Sequence, residues 1–238
     1  MSTSQSPIPS APLAGVASGL QAQGAWVGRR QLFVRFAGEA ETATMYRADA
    51  LARELVRQLS RSSYHSLSIS GRDALGCADF LVATLSQAPN LPPVMIDTDG
   101  EHLGSLSQLA PWLRLVQVTL DVPIAGASRA RAWGTTPERA SEMIEGRAFE
   151  ALGLAAELGV EHALVLVAAD EARDDDLVRL VEQAHSASAR SSIIVHPGSA
   201  AGDRTTLDRR WSQLAERVSG VHGDVRTLLR LPAPAGLR

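Results

Sequence analysis

The stretch LFVRFAGEAETATMYRAD, Leu32 to Asp49, decides the fold. An apolar, β-branched and aromatic run suits a buried strand, Gly38 marks a tight turn, and a helical pattern follows. Strand, turn and helix make one unit of an α/β chain, and the unit recurs. Six such runs are strand candidates: 31 to 37, 66 to 70, 94 to 98, 115 to 121, 162 to 168 and 192 to 197.

Helical patterns fill most of the gaps. Met45, Leu51, Leu55 and Leu59 fall at helical spacing within 42–61, and GCADFLVATLSQA is a shorter example. The segment 135–159 offers Thr136 as N-cap, Pro137 at the first helical position and Gly159 at the far end, with Gly146 and Gly153 as points for a bend. DDDLVRLVEQAHSA opens on acids that favour a helix N-terminus, and TTLDRRWSQLAERV opens on the capping-box spacing Thr205 to Asp208.

Repeated strand-helix alternation argues for a parallel sheet, because each helical crossover returns the chain to the same end. Periodicity leaves an open doubly wound sheet and a full or partial barrel as alternatives. Either architecture gathers ligands at the carboxyl ends of the strands. Those ends read Gly38-Glu39, Gly71-Arg72-Asp73, Asp97 to Gly100, Thr119 to Asp121, Ala169-Asp170 and His196 to Gly198.

Composition narrows the function. A chain of 238 residues, 45% hydrophobic and 21% charged, can bury a substantial core in a single domain. The net charge of -3 supplies no basic field for nucleic acid or an anionic membrane. All 23 basic residues are arginine, which excludes a lysine Schiff base and a P-loop lysine. Cys77 is the single cysteine, so neither an internal disulfide nor a multi-thiolate metal site can form, and a reducing cytoplasm is the expected compartment. Residues 1–24, rich in Ser, Pro, Ala and Gly, read as a flexible tail ahead of one domain spanning 25–238. No segment reaches the ~18 consecutive apolar residues of a spanning helix.

Several segments resemble, in order, those of the 7-carboxy-7-deazaguanine synthases, radical S-adenosylmethionine (SAM) enzymes of queuosine and deazapurine biosynthesis. GLQAQGAWVGRRQLFVRFAG is similar to the family's Q-G-E-G, G-R and F-V-R-L-A-G-C segments; SLSISGRDAL to S-I-T-G-G-E-P-L; MIDTDG to L-E-T-N-G; LVQVTLDVP to V-S-M-D-I-K-L-P; and GDVRTLLRLPAPAGLR to D-V-R with a Leu-rich tail. The likeness runs from about Leu20 to the C-terminus. It implies a partial (β/α)6 TIM-like barrel of the radical SAM type, with parallel strands.

The departures from this pattern fall on chemistry. The three cluster thiolates of C-x-x-x-C-x-x-C correspond to Glu39, Ala43 and Tyr46, none of which is a thiolate ligand. G-G-E-P reads Gly71, Arg72, Asp73 and Ala74, and the family's lysine falls at Asp121. An iron-sulfur cluster is therefore not expected, and SAM binding stays open but weakened. The resemblance places Gln21, Gln23 and Arg35 against a pterin- or deazapurine-like substrate; a structural ion pair of Arg35 with Glu39 or Asp97 is the alternative for that residue.

DTDGEH, Asp97 to His102, could hold Mg²⁺ but lacks EF-hand spacing, and a solvated turn is the competing reading. The six histidines show no zinc spacing, and His196 alone falls on the rim. The expected ligand-binding set is Gln21, Gln23, Arg35, Gly71, Asp73, Asp97, Asp99, Asp121 and His196. Three functions fit: a pseudoenzyme that binds a small molecule or regulates a partner enzyme, a non-radical enzyme using Asp97, Asp99, Asp121 and His196 for acid-base or Mg²⁺-assisted chemistry, and a structural or interaction module, with a homodimer through an exposed apolar surface as one form of it.

Overall fold

A computed structural model describes residues 7–122, 137–169, 172–197 and 204–228. Its strands are β1 (Ser10–Leu20), β2 (Arg30–Phe36), β3 (Thr44–Arg47), β4 (Ser66–Gly71), β5 (Val94–Thr98), β6 (Leu113–Val122), β7 (Glu161–Ala168), β8 (Ser192–Pro197) and β9 (Val225–Thr227). The helices are α1 (Ala48–Arg61), α2 (Ala78–Leu85), α3 (Leu106–Leu109), α4 (Pro137–Glu157), α5 (Asp174–Ala187) and α6 (Arg204–Ser219). All strands join one sheet in the order β3-β1-β2-β4-β5-β6-β7-β8-β9. From β2 to β9 the pairings are parallel, while β1 is antiparallel to both of its neighbours.

The six expected strands are all present, and the fold is α/β with a mostly parallel sheet. The sheet is open, ending at β3 and β9; these free edges close no barrel and do not establish the partial barrel that was expected. Residues 1–24 are not simply a tail: Ser10–Leu20 is an eleven-residue strand. Its SAPLAGVASGL sequence carries few β-branched or aromatic side chains, so composition hides it, and only Ala11 and Leu13 are fully buried. Backbone pairing to β2 and β3 makes the strand instead.

The helix pattern over 42–61 begins later than expected, because Thr44–Arg47 forms β3 before α1 starts. α4 runs unbroken through Gly146 and Gly153, and Gly159 follows it at φ +70°. The proposed cap Thr136 lies outside the described residues, and α6 starts at Arg204, one residue ahead of Thr205.

Each strand from β4 to β9 lies beside its predecessor in the parallel series. With right-handed crossovers, steady advance in one direction places the connecting helices on one face. The burial pattern follows this rule. Leu32, Val34 and Phe36 of β2, Leu67 and Ile69 of β4, Val116, Val118 and Leu120 of β6, and Leu164 and Leu166 of β7 share the main core with Leu51 and Leu55 of α1, Leu152 of α4, Leu177 of α5 and Leu214 of α6.

Strand alternation sends the intervening residues to the other face. There a small separate cluster forms from Met95, Leu115, Ala163, Val165 and Ile194, with Ala25, Trp26 and Leu228 packed against it. The same series of alternating positions places Gln31, Ser66, Ser68, Gln117 and His196 there, all buried. Half of this face is therefore polar, and the β1–β2 connection crosses it.

Candidate ligand site on the helix-free face

Asp97 is the focus of the polar half. It sits on β5 opposite Gln117 of β6, and Thr119 Oγ1 donates to its Oδ1 at 2.7 Å. Some of the residue's surface reaches solvent, but the carboxyl itself is enclosed, and burial pushes its pKa up to about 6. Hydrogen bonding from Thr119 and the nearby Gln117 amide oppose that rise, whereas the charges of Asp99 and Asp121 add to it. The Gln117 amide is near enough to Asp97 to favour the carboxylate, although its buried Nε2 makes no hydrogen bond of ordinary geometry.

The β1–β2 connection is fastened to this face by backbone donors. Gly24 N–H donates to His196 Nε2 at 2.8 Å, and Ala25 N–H donates to Gln117 Oε1 at 3.1 Å. His196 Nδ1 contacts Leu228 O at 2.5 Å; with Nε2 accepting, Nδ1 carries the proton and the ring is neutral. Gly24, at φ +85°, has no room for a side chain, since a Cβ there would fall 1.9 Å from Gln117 Oε1.

The structure disperses the expected set. Gln21 is buried, and its backbone closes the connection through Gln21 N–H to Arg29 O and Gly28 N–H to Gln21 O, both at 2.9 Å. Gln23, beside Gly24, has a buried Oε1 with no hydrogen-bond partner. Arg35 pairs with neither Glu39 nor Asp97: its Nη2 lies 2.5 Å from Glu41 Oε1, and Gly38 N–H donates to Glu41 Oε2 at 2.9 Å. The Gly38 bond and Arg35 hold the Glu41 carboxyl below its ordinary range. Glu39 pairs with Arg72 at 2.8 Å.

Gly71 has φ +100°, and a Cβ there would fall 2.2 Å from Phe36 O, so the rim turn requires glycine. Asp73, also left-handed at φ 53°, accepts from Gly76 N–H and lies 2.5 Å from His102 Nδ1. Asp99 is exposed and accepts from Glu101 N–H at 3.2 Å; Asp121 is exposed on β6. Asp97, Asp99 and Asp121 thus interact electrostatically, while His196 is committed to holding two connections.

Asp73, Glu101 and His102 could offer a metal three ligand atoms within 4.8 Å of one another. Glu101 Oε1 already accepts from Arg147 Nη1 at 2.7 Å, and Asp73 and His102 satisfy each other. Two of the three, Glu101 and His102, belong to the DTDGEH stretch read as able to hold Mg²⁺, while Asp73 stands in the group where that reading had Asp97 and Asp99. Gln31 and Gln117 were missed. The polar residue inside LVQVTLD was the available signal, since a buried glutamine on a strand must face something polar.

Fold and site define an α/β protein with a mostly parallel open sheet, one face of which carries no helix among the described residues and holds buried amides and a raised-pKa carboxyl. No family model matches the chain. It is 28% identical over 140 residues to the 7-carboxy-7-deazaguanine synthase of Methanothermobacter thermautotrophicus, covering 53% of this chain and 55% of that protein. The match thus spans about half the length of that relative and supports a distant relation. The structure of the 3-keto-D-glucoside 4-epimerase YcjR from E. coli aligns over 77% of this chain and 88% of its own, at 13% identity and a TM-score of 0.32. That overlap is too loose to bear on function.

The residues do not fit an iron-sulfur cluster. Glu39 and Ala43 are exposed, and Tyr46 belongs to β3, paired with Ala11 and packed against the main core. Cys77 packs beside α2, and burial raises its thiol pKa, disfavouring the thiolate a metal needs. Among the described residues, no helix is long and apolar enough to cross a membrane.

Proposed function

We propose that the protein is a radical-SAM-like relative of 7-carboxy-7-deazaguanine synthase that performs no radical chemistry and binds a deazapurine- or pterin-like molecule on the helix-free face of its sheet. Its open, mostly parallel sheet would then correspond to that superfamily's partial barrel, and its role in the cytoplasm would be to sense or sequester the ligand or to regulate a partner enzyme. SAM is not needed for this role.

The observation that carries the reading is the buried Asp97 carboxyl beside Gln117, with Gln23 on the connection that Gly24 and Ala25 fasten to His196 and Gln117. A carboxyl poised near pKa 6 sits beside an amide nitrogen without an aligned acceptor, and Gln23 supplies a buried oxygen without a donor. Buried unsatisfied polar groups are costly and call for an explanation at each site. The 2-amino-4-oxopyrimidine ring shared by pterins and deazaguanines presents adjacent N–H donors and a carbonyl acceptor, which a carboxylate and an amide can meet together.

Thermal stabilisation of the purified chain by 7-carboxy-7-deazaguanine, 6-carboxytetrahydropterin and SAM tests this. A shift with either of the first two, lost in Asp97→Asn, is expected. No shift with any of the three would sink the reading.

A second reading is acid-base catalysis, favoured by the coupling of Asp97 to Asp99 and Asp121. It requires turnover that follows the ionisation of Asp97 near pH 6 and disappears in Asp97→Asn.

A further inference from the structure

A cavity of about 480 Å³ opens at the opposite end of the sheet, where the parallel strands begin. Its lining includes Trp26, Leu115, Glu161, Arg190, Ser192 and Arg226. The volume lies within the ordinary range for small-molecule sites. The β1–β2 connection divides it from the rim: Gly24 and Ala25 bind His196 and Gln117, and Trp26 follows into this second space.

Charge in the cavity is unevenly matched. Glu161 is paired with Arg114. Arg190 Nη2 reaches Ala156 O at 3.4 Å, a long contact for a guanidinium. Arg226 Nε lies 3.4 Å from Asp224 Oδ1 without making an aligned bond, and it is buried with no hydrogen-bond partner. Asp224 meanwhile accepts from Ser192 Oγ at 2.5 Å through its other oxygen. Two arginines therefore bring underused donors to a space that also has an indole and a leucine side chain on its surface.

We propose that this cavity binds a small organic anion with a planar apolar body, its carboxylate held by Arg226 and Arg190 and its ring packed against Trp26. A guanidinium fork matches a carboxylate in geometry, and its weak hydration suits a partly enclosed pocket. An indole offers a broad apolar face to a flat ligand. The neutral amide of the same ring keeps the shape and removes the charge.

The test titrates the full chain with naphthalene carboxylate and naphthalene carboxamide, following tryptophan fluorescence and calorimetric heat. Saturable binding of the carboxylate, at least about ten-fold tighter than the amide, is expected because the charge-assisted bonds are lost in the amide. Arg226→Met should weaken the carboxylate to the level of the amide. Arg190→Gln, at an exposed position where folding is not at stake, should weaken it in the same direction. Equal affinity for the two probes, absence of saturable binding, or full carboxylate affinity in both folded variants would overturn the proposal.

Discussion

Thr119 Oγ1 reaches across from β6 to donate to Asp97 Oδ1 on β5 at 2.7 Å, yet this bond does not bring the carboxyl back to its ordinary range. Burial outweighs the hydrogen bonds, and the charges of Asp99 and Asp121 act in the same direction as burial. A structural role would be served as well by a neutral amide at this position. Keeping an acid there costs stability, as sites held for binding or proton transfer commonly do.

The cost has a definite pH signature. Asp97 has a folded-state pKa of about 6 against an ordinary value of 3.8, so the unfolded chain loses this proton first as pH rises. Stability contributed by the group is fully present below about pH 4, falls between about pH 4 and 6, and stays low above that. Asp97→Asn should therefore be more stable than the parent at about pH 7.5, by on the order of 1 to 3 kcal/mol, with the gap closing toward pH 4. Urea midpoints of both proteins across that range check this, and an unchanged gap would refute it.

Six of the parallel strands were legible because apolar β-branched runs such as HALVLVA and SIIVHP have few other structures open to them in a helix-alternating chain. β1, β3 and the short parallel β9 were not. Ser10–Leu20 is held by ladder hydrogen bonds that its small side chains do not advertise, and Thr44–Arg47 becomes a strand only because β1 is there to pair with it. At the site, Asp97 could be read from its place at a strand end. The commitment of Arg35 to Glu41 and of His196 to Gly24 and Leu228 could not, since each depends on how a connection folds back over the sheet.

Two glycines of the β1–β2 connection should respond differently to alanine. Gly24 and Gly28 both have positive φ, +85° and +78°, so each substitution carries a backbone cost of about 1 kcal/mol or more. At Gly24 the new methyl would also collide with Gln117 Oε1, while at Gly28 nothing lies within 4 Å. Gly24→Ala should cost at least about 1 kcal/mol more than Gly28→Ala in denaturant unfolding and should weaken ligand binding. Equal losses would show that the close approach of Gly24 to Gln117 is unimportant.

Introducing cysteines should not create a cluster. With Glu39, Ala43 and Tyr46 all changed to Cys, the third thiol would sit in β3, where the ladder to β1 holds the backbone and Tyr46 leaves the core. Anaerobic reconstitution followed by iron and sulfide analysis is expected to give no stoichiometric cluster, and the variant should melt below the parent. Stoichiometric iron and sulfide would mean that the segment readily abandons the strand.

His196 joins two connections through a single ring. It is fully buried, takes a hydrogen bond from Gly24 N–H, and gives one to Leu228 O. His196→Ala leaves both backbone groups without this partner and opens a cavity beneath the β1–β2 connection, with an expected loss of about 2 to 4 kcal/mol. The local signature is more telling than the total. Amide exchange should accelerate at Gly24 and Ala25 beyond what the drop in global stability explains, while the β4–β5 ladder, at least three strands from β8 in the sheet and held by its own parallel pairings, should follow the global change. Uniform acceleration across the sheet would assign His196 to general core packing and remove it from the organisation of the ligand face.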